Sequence, residues 1–390
     1  MKTLDLGPLS LARGGHLALR RALSSLADGE SLRLSGAEPE LLVHARGLAR
    51  RWSCPFREAG ADAILGPPTA ARWAGAERAG HAGPQGAVDH PPAHWGLAAR
   101  GAAVEAGSPA FHFALDQRDE VWSDDAGRLY LQAAAAQWDP ATIVDWSLPV
   151  ELPAEVEDAV VQVMTFLIEN ETAALVVPAR FCAQVHPHFR EVMQVLAIQA
   201  ADEARHIEVF TRRALLRRPA PGLSTAGGQA SLQTLVDEPD FAMASFLLSV
   251  LGEGSFLSLL RFLDQHAPDP ITATICRLSA TDEARHVAFG LSHLERHAAH
   301  DATLLDRLAA AVEARHGALQ HTAGLNEEVF DALVLVAAGG WSPAELQRGW
   351  DAVVALQTEM HAGRQVRLRR LGFSEEEATR LSGLHTRNFM

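Results

Sequence analysis

The string Asp-Glu-Ala-Arg-His occurs twice, at Asp202–His206 and at Asp282–His286, and no other residues in the chain are better placed to do chemistry. In each copy a glutamate and a histidine stand three apart: Glu203 with His206, and Glu283 with His286. Residues three apart on a helix share a face, so both side chains can reach one metal ion. A lone glutamate in apolar sequence precedes each copy, Glu171 before the first and Glu253 before the second. Two Glu/His pairs, with one further Glu from each of two other helices, make the ligand set of a carboxylate-bridged di-metal site. The implied chemistry is redox work on two ions held in a helical core.

A single Glu-x-x-His is ordinarily a solvated i,i+3 pair. The neighbours argue otherwise here. The face carrying Glu203 and His206 continues to Leu196, Gln199, Ala200 and Phe210, and that of Glu283 and His286 to Cys276, Ser279, Ala280 and Phe289. Glu253 sits between Ala244–Leu251 and Phe256-Leu257. Four carboxylates in such a core would each cost several kcal/mol in desolvation, which two divalent ions offset. Oxygen and imidazole donors suit iron or manganese, and no thiolate is offered for a closed zinc site. Glu169 competes with Glu171 but lies about 200° around the helix, and only Glu171 shares a stripe with Leu167, Ala174 and Leu175. A third Glu-Ala-Arg-His, Glu313–His316, lacks the leading Asp and is read as a decoy. Gly252 and Gly254 flank Glu253, which suggests close packing, room for a small molecule beside the ions, or a local helix distortion.

The elements that must position these residues follow from pattern. From Pro153 onward the chain reads as helices over 153–183, 188–215, 239–266 and 270–299. Later helices are expected near 302–321, 326–338, 342–371 and 375–384, the last with a Ser374 capping box. An offset of 80 residues superposes the two motifs and also His186 on His266, as a pseudo-two-fold bundle requires. Residues 1–65 read as a small α/β domain: strands at Thr3–Leu6, Ser31–Leu34 and within Pro55–Leu65, and helices at Leu17–Leu26 and Glu40–Trp52. Residues 66–150 form a linker, with short strands at Phe111–Phe113 and Glu120–Trp122 and a helix over Asp124–Trp138. Its histidines His81, His90 and His94 read as exposed loop residues. The ligand-bearing domain is 151–300, and 301–390 are additional helices packing on it. The fold class expected is α+β, an all-α bundle with a small N-terminal α/β domain.

The paired DExRH motifs resemble the ferritin-like non-haem di-iron carboxylate proteins, over roughly residues 155–295. That superfamily includes multicomponent monooxygenase subunits, acyl-carrier-protein desaturases, the ribonucleotide reductase small subunit and p-aminobenzoate N-oxygenase. The resemblance implies a ferritin-like bundle whose ligands are Glu171, Glu203, His206, Glu253, Glu283 and His286, with Glu203 and Glu283 as candidate bridges. It implies that Asp202 and Asp282 each hydrogen-bond the histidine of the opposite motif and that Arg205 and Arg285 neutralise them. It also implies two iron ions, with Mn/Fe as the variant, and O2-dependent hydroxylation, N-oxygenation or desaturation of an organic small molecule, free or carrier-bound. The alternative is an iron-handling or peroxide-reducing protein of the rubrerythrin or ferritin kind. Phe210 stands where the reductase has its radical tyrosine, and Ser279 where the N-oxygenase has a third histidine. The N-terminal segment weakly resembles the TusA-like sulfur carriers, in Leu17–Leu23 and Gly29–Leu32, without their cysteine motif.

Composition narrows the classes further. A net charge of -14 over 390 residues argues against nucleic acid or an anionic membrane as partner. Lys2 is the only lysine, which disfavours Schiff-base chemistry, and Cys54, Cys182 and Cys276 form no CxxC pair. No flavin or nicotinamide fingerprint is visible, so electrons must come from an external donor. Met1–Asp5 lacks an apolar signal core, so a cytoplasmic protein is expected, with a homodimer among the assemblies allowed.

Overall fold

The computed structural model describes residues 1–69, 75–319 and 327–384. The chain divides into two units, Met1–Ala79 with Ala102–Ser108, and Gly80–Gly101 with Pro109–Met390. In the first, β1 (Lys2–Asp5), α1 (Gly15–Ser24), β2 (Leu32–Ser35), α2 (Leu41–Arg51), β3 (Phe56–Ala59) and β4 (Asp62–Leu65) follow in order. The sheet order is β1-β2-β4-β3, with β1 and β2 parallel and the other neighbours antiparallel. Helices α1 and α2 bury Leu19, Leu23, Leu41 and Ala45 with Leu32, Leu34 and Leu65 of the sheet. The single strand expected within 55–65 is a hairpin instead, because Gly60 at φ +70° turns the chain back.

The same unit holds the short ladder β5 (Glu77–Arg78) with β6 (Ala103–Val104). The strands expected at Phe111–Phe113 and Glu120–Trp122 do not form. Arg118–Val121 is a helical turn, α3, with Asp119 and Glu120 at its N-terminus, where acidic groups favour a helix.

The second unit is helical. After α4 (Ala126–Ala135) come α5 (Ala154–Cys182), α6 (Arg190–Ala214), α7 (Ala226–Val236), α8 (Phe241–Ser245), a π-helical segment (Phe246–Glu253), α9 (Gly254–His266) and α10 (Pro270–His300). Beyond them lie α11 (Leu304–Leu319), α12 (Glu327–Ala338), α13 (Pro343–Leu371) and α14 (Glu375–Leu384). Asp240 and Asp269 cap their helices by accepting from Met243 N and Thr272 N, and Pro270 occupies the first turn, where its missing N–H is no loss. The expected helix ends at 320–321 and the start at 326 lie outside the described residues. The pattern did not show α7; its Thr225 cap is followed by Gly227 and Gly228, which mask a helical period.

Four long helical stretches (α5, α6, the α8–π–α9 run and α10) share one apolar core that contains Leu167, Phe210, Phe246, Leu251 and Phe289. Two of them, Ala154–Cys182 and Phe241–His266, are long and apolar enough to cross a bilayer, but 61% and 89% of their most apolar windows are buried inside the fold. At one end of the bundle the buried Arg213 of α6 donates to Glu157 of α5 and to Asp269 and Thr272 at the start of α10. That cross-link fixes the three helices relative to one another.

Candidate metal centre

The six expected ligands converge. Glu171 comes from α5, Glu203 and His206 from α6, Glu253 from the last residue of the π segment, and Glu283 and His286 from α10. All are buried, none more than 4% exposed. Two overlapping groups can each hold one ion: Glu171, Glu203, His206 and Glu283, and Glu203, Glu253, Glu283 and His286. Within each group the donor atoms lie within 4.8 Å of one another. Glu203 and Glu283 belong to both groups, which is the arrangement of two bridging carboxylates.

The donors face shared points and satisfy one another only in part. His206 Nδ1 lies 3.2 Å from Glu203, 3.3 Å from Glu283 and 3.4 Å from Glu171. His286 Nδ1 lies 3.0 Å from Glu203 Oε1 and 3.4 Å from Glu283 Oε2. Even so, Glu171 Oε1, Glu203 Oε1, Glu253 Oε2, both Glu283 oxygens and His286 Nδ1 have no hydrogen-bond partner. Buried polar atoms are normally satisfied, so this many orphans around two points fits a pair of ions. The titration behaviour agrees. Burial, with the charges of nearby carboxylates, holds Glu171 and Glu253 well above the usual carboxylate range. Burial also opposes ionisation of Glu203, but the His286 charge and bonds from Glu171 and both histidines outweigh it and bring it down. Both histidines are pushed up despite burial, chiefly by Glu171 at His206 and by Glu203 at His286. Without metal, protons would have to supply the positive charge.

The second layer is reciprocal. His206 Nε2 lies 3.2 Å from Asp282 and His286 Nε2 3.3 Å from Asp202, so each imidazole points Nδ1 inward and Nε2 at the aspartate of the other motif. Arg205 donates to both aspartates, at 2.6 and 2.9 Å, and Arg285 pairs with both as well. Two participants were not read from the sequence. Trp138 Nε1 donates to Asp282 (2.8 Å) and Gln137 Nε2 to Asp202 (2.8 Å), with Arg205 stacked 4.7 Å over the Trp138 ring. These bonds explain why the helix expected to reach Trp138 stops at Ala135: residues 137 and 138 leave it to cap the aspartates. Gln199 was noted only for its face; its Nε2 donates to Glu253 at 2.8 Å.

The rejected candidates lie elsewhere. Glu169 is only half-buried and joins neither group. Glu313 is exposed and pairs with Arg380, while His316 Nδ1 lies 3.2 Å from Leu384 O. His81 and His90 are exposed. Gly254 does not border the ions; a Cβ there would collide with the Arg367 guanidinium. Arg367 Nε in turn donates to Val250 O, a carbonyl within the widened π turn (2.7 Å). Gly252 does border a small cavity next to the ligands, with about 30 Å³ of free space, walled by Leu247, Leu248 and Phe256 and reaching Glu171, Glu253 and Glu283. That is room for about two water-sized molecules.

The two ExxH pairs and their two lone glutamates come from four packed helices, a pair of ligands from each of two and one from each of the others. The helical unit is a ferritin-like bundle. No family model matches the chain, and no curated protein matches it. Among solved structures it is similar to a mutant R2-like ligand-binding oxidase with aerobically reconstituted Mn/Fe cofactor (TM-score 0.49, 17% identity, 65% of this chain and 95% of that one). It is also similar to the R2-like ligand-binding oxidase from Sulfolobus acidocaldarius (TM-score 0.43, 18% identity, 65% and 93%).

Proposed function

We propose that the helical unit is an oxidase with two metal ions, iron with iron or manganese with iron, that uses O2 to oxidise an organic small molecule. The observation that carries this is the sharing of Glu203 and Glu283 between two four-residue ligand groups. Bound there, the ions would supply redox chemistry and open coordination positions for O2. Glu171 with His206 would hold one ion, and Glu253 with His286 the other. Asp202 and Asp282 fix the imidazole tautomers, so each Nδ1 presents a lone pair to the site. Leu247, Leu248 and Phe256 exclude bulk water from the side on which a substrate would approach. Electrons are drawn from an external donor. The apolar cavity favours oxidation over iron storage, which calls for a wet, acidic entry route.

Protein expressed with iron and manganese should carry two metal ions per chain. His206→Ala and His286→Ala should each lower that number, whereas His316→Ala should leave it at two. Reduced, metal-loaded protein should consume O2. Zinc alone, or a single ion, in elemental analysis would sink the di-metal reading; full loading with no O2 uptake would leave a structural site.

A further inference from the structure

The cavity beside the ligands has one cationic wall. Arg315 of α11 lines it, only 8% exposed. It is the arginine of the string rejected as a metal motif: Glu313 and His316 turn away, and Arg315 turns in. Its Nη2 donates to Ser231 Oγ (2.8 Å) and, more weakly, to Ser231 O (3.4 Å). Among the described residues no carboxylate lies within ion-pair distance of it.

Two of the other buried guanidiniums are neutralised by carboxylates. Arg213 is paired with Glu157 and Asp269, and Arg100 with Glu191. Arg364 and Arg367 lack a carboxylate too, but they spend donors on Ser255, Ser382 and Val250 O, and neither lines this cavity. A buried cation without a counter-charge is costly, and the cost is recovered when an anion enters. Burial pulls the Arg315 guanidinium only to about 10, so the charge persists at neutral pH. A guanidinium also offers a planar fork of donors that matches a carboxylate. The opposite wall is acidic and metal-binding, and what lies between is apolar.

We propose that Arg315 binds the carboxylate of the substrate, a short monocarboxylic acid of formate or acetate size that the small cavity can hold, with its carbon end against Leu247, Leu248 and Phe256. The proposal rests on the oxidase reading for the word substrate, and on the cavity alone for the ligand.

The test is calorimetric binding of formate and acetate, with formamide and acetamide as neutral controls, to zinc-loaded protein, where no turnover intervenes. The acids should bind at least tenfold tighter than the amides. Arg315→Gln should erase that preference, and Arg315→Lys should restore part of it, with two ions still bound in both. Should Arg315→Gln fail to fold, Ser231→Ala, which frees the guanidinium from its tether, should weaken the acids and leave the amides unchanged. Equal binding of acids and amides, an unaltered preference in Arg315→Gln, or competition by inorganic phosphate as strong as by acetate would overturn the assignment. Binding through Arg315 in a protein that never consumes O2 would instead overturn the oxidase reading and leave the carboxylate site standing.

Discussion

His293 lies two turns beyond His286 on α10, between Phe241 and Phe289, with ring centroids 4.8 and 6.2 Å away. It is fully buried, and neither ring nitrogen has a partner. Burial, with a smaller contribution from His297, holds it down to about 3, against 6.5 for a free histidine. The folded state therefore keeps it neutral while the unfolded chain takes up a proton. Its stability contribution is complete above about pH 6.5 and is lost as pH falls toward 3, by up to about 1.4 kcal/mol per pH unit. His293→Phe should match the parent near pH 7.5 and should be the more stable of the two at pH 5 in denaturant titrations. Parallel curves for the two proteins down to pH 5 would mean that the ring gains a partner as it protonates. At this same scale, the reading of single residues from sequence was uneven for a physical reason. Glu203, His206, Glu283 and His286 announce themselves because i,i+3 spacing is a local signature, repeated after 80 residues. Gln137, Trp138 and Arg315 act across the fold, at 65, 144 and 84 residues from Asp202, Asp282 and Ser231. No local spacing encodes such pairs.

Among the elements, the four ligand-bearing stretches are held by two devices. One is the Arg213 cross-link, in which a guanidinium with no exposed surface serves Glu157 on α5 and Asp269 at the start of α10. Removing it leaves two buried carboxylates unpaired, so Arg213→Met should cost about 3–5 kcal/mol in urea unfolding. The double change Arg213→Met with Glu157→Leu should recover part of the loss. No recovery would mean that the loss comes from the bonds to Asp269 and Thr272. The other device is the π segment Phe246–Glu253, which ends at Glu253 in the carboxylate–histidine cluster and whose wider turns release carbonyls that other groups must satisfy. Gly290 on α10 lets that segment approach closely, since a Cβ there would strike Ser249. The four helices were legible because each has long apolar faces, and two of them open on a capping aspartate, Asp240 and Asp269. The π segment was not, because an extra residue per turn leaves an all-apolar stretch looking like any buried helix. Gly252 and Gly254 were the visible trace of the distortion; of the readings open for the pair, Gly252 borders the cavity and Gly254 packs closely against Arg367.

Over the whole molecule, the helical unit builds its largest apolar core around four carboxylates and two imidazoles whose charges do not balance by themselves. In a chain of net charge -14, metal binding is then a term in the stability of that unit as well as a step toward chemistry. Ions that bind the folded unit and not the unfolded chain stabilise it by an amount that grows by about 1.4 kcal/mol per tenfold rise in free metal for each ion bound. Chelation should lower the melting temperature of the helical unit, and readdition of iron or manganese should restore it. In buffers of fixed free metal, the unfolding free energy should rise with twice the single-ion slope, because Glu203 and Glu283 complete both groups and neither ion is fully ligated without them. Glu203→Gln should bring the slope down to that of one weakly held ion or none. A slope of one ion in the parent protein would mean that the second group does not fill. No dependence on free metal at all would mean that protons, and not ions, balance the four carboxylates.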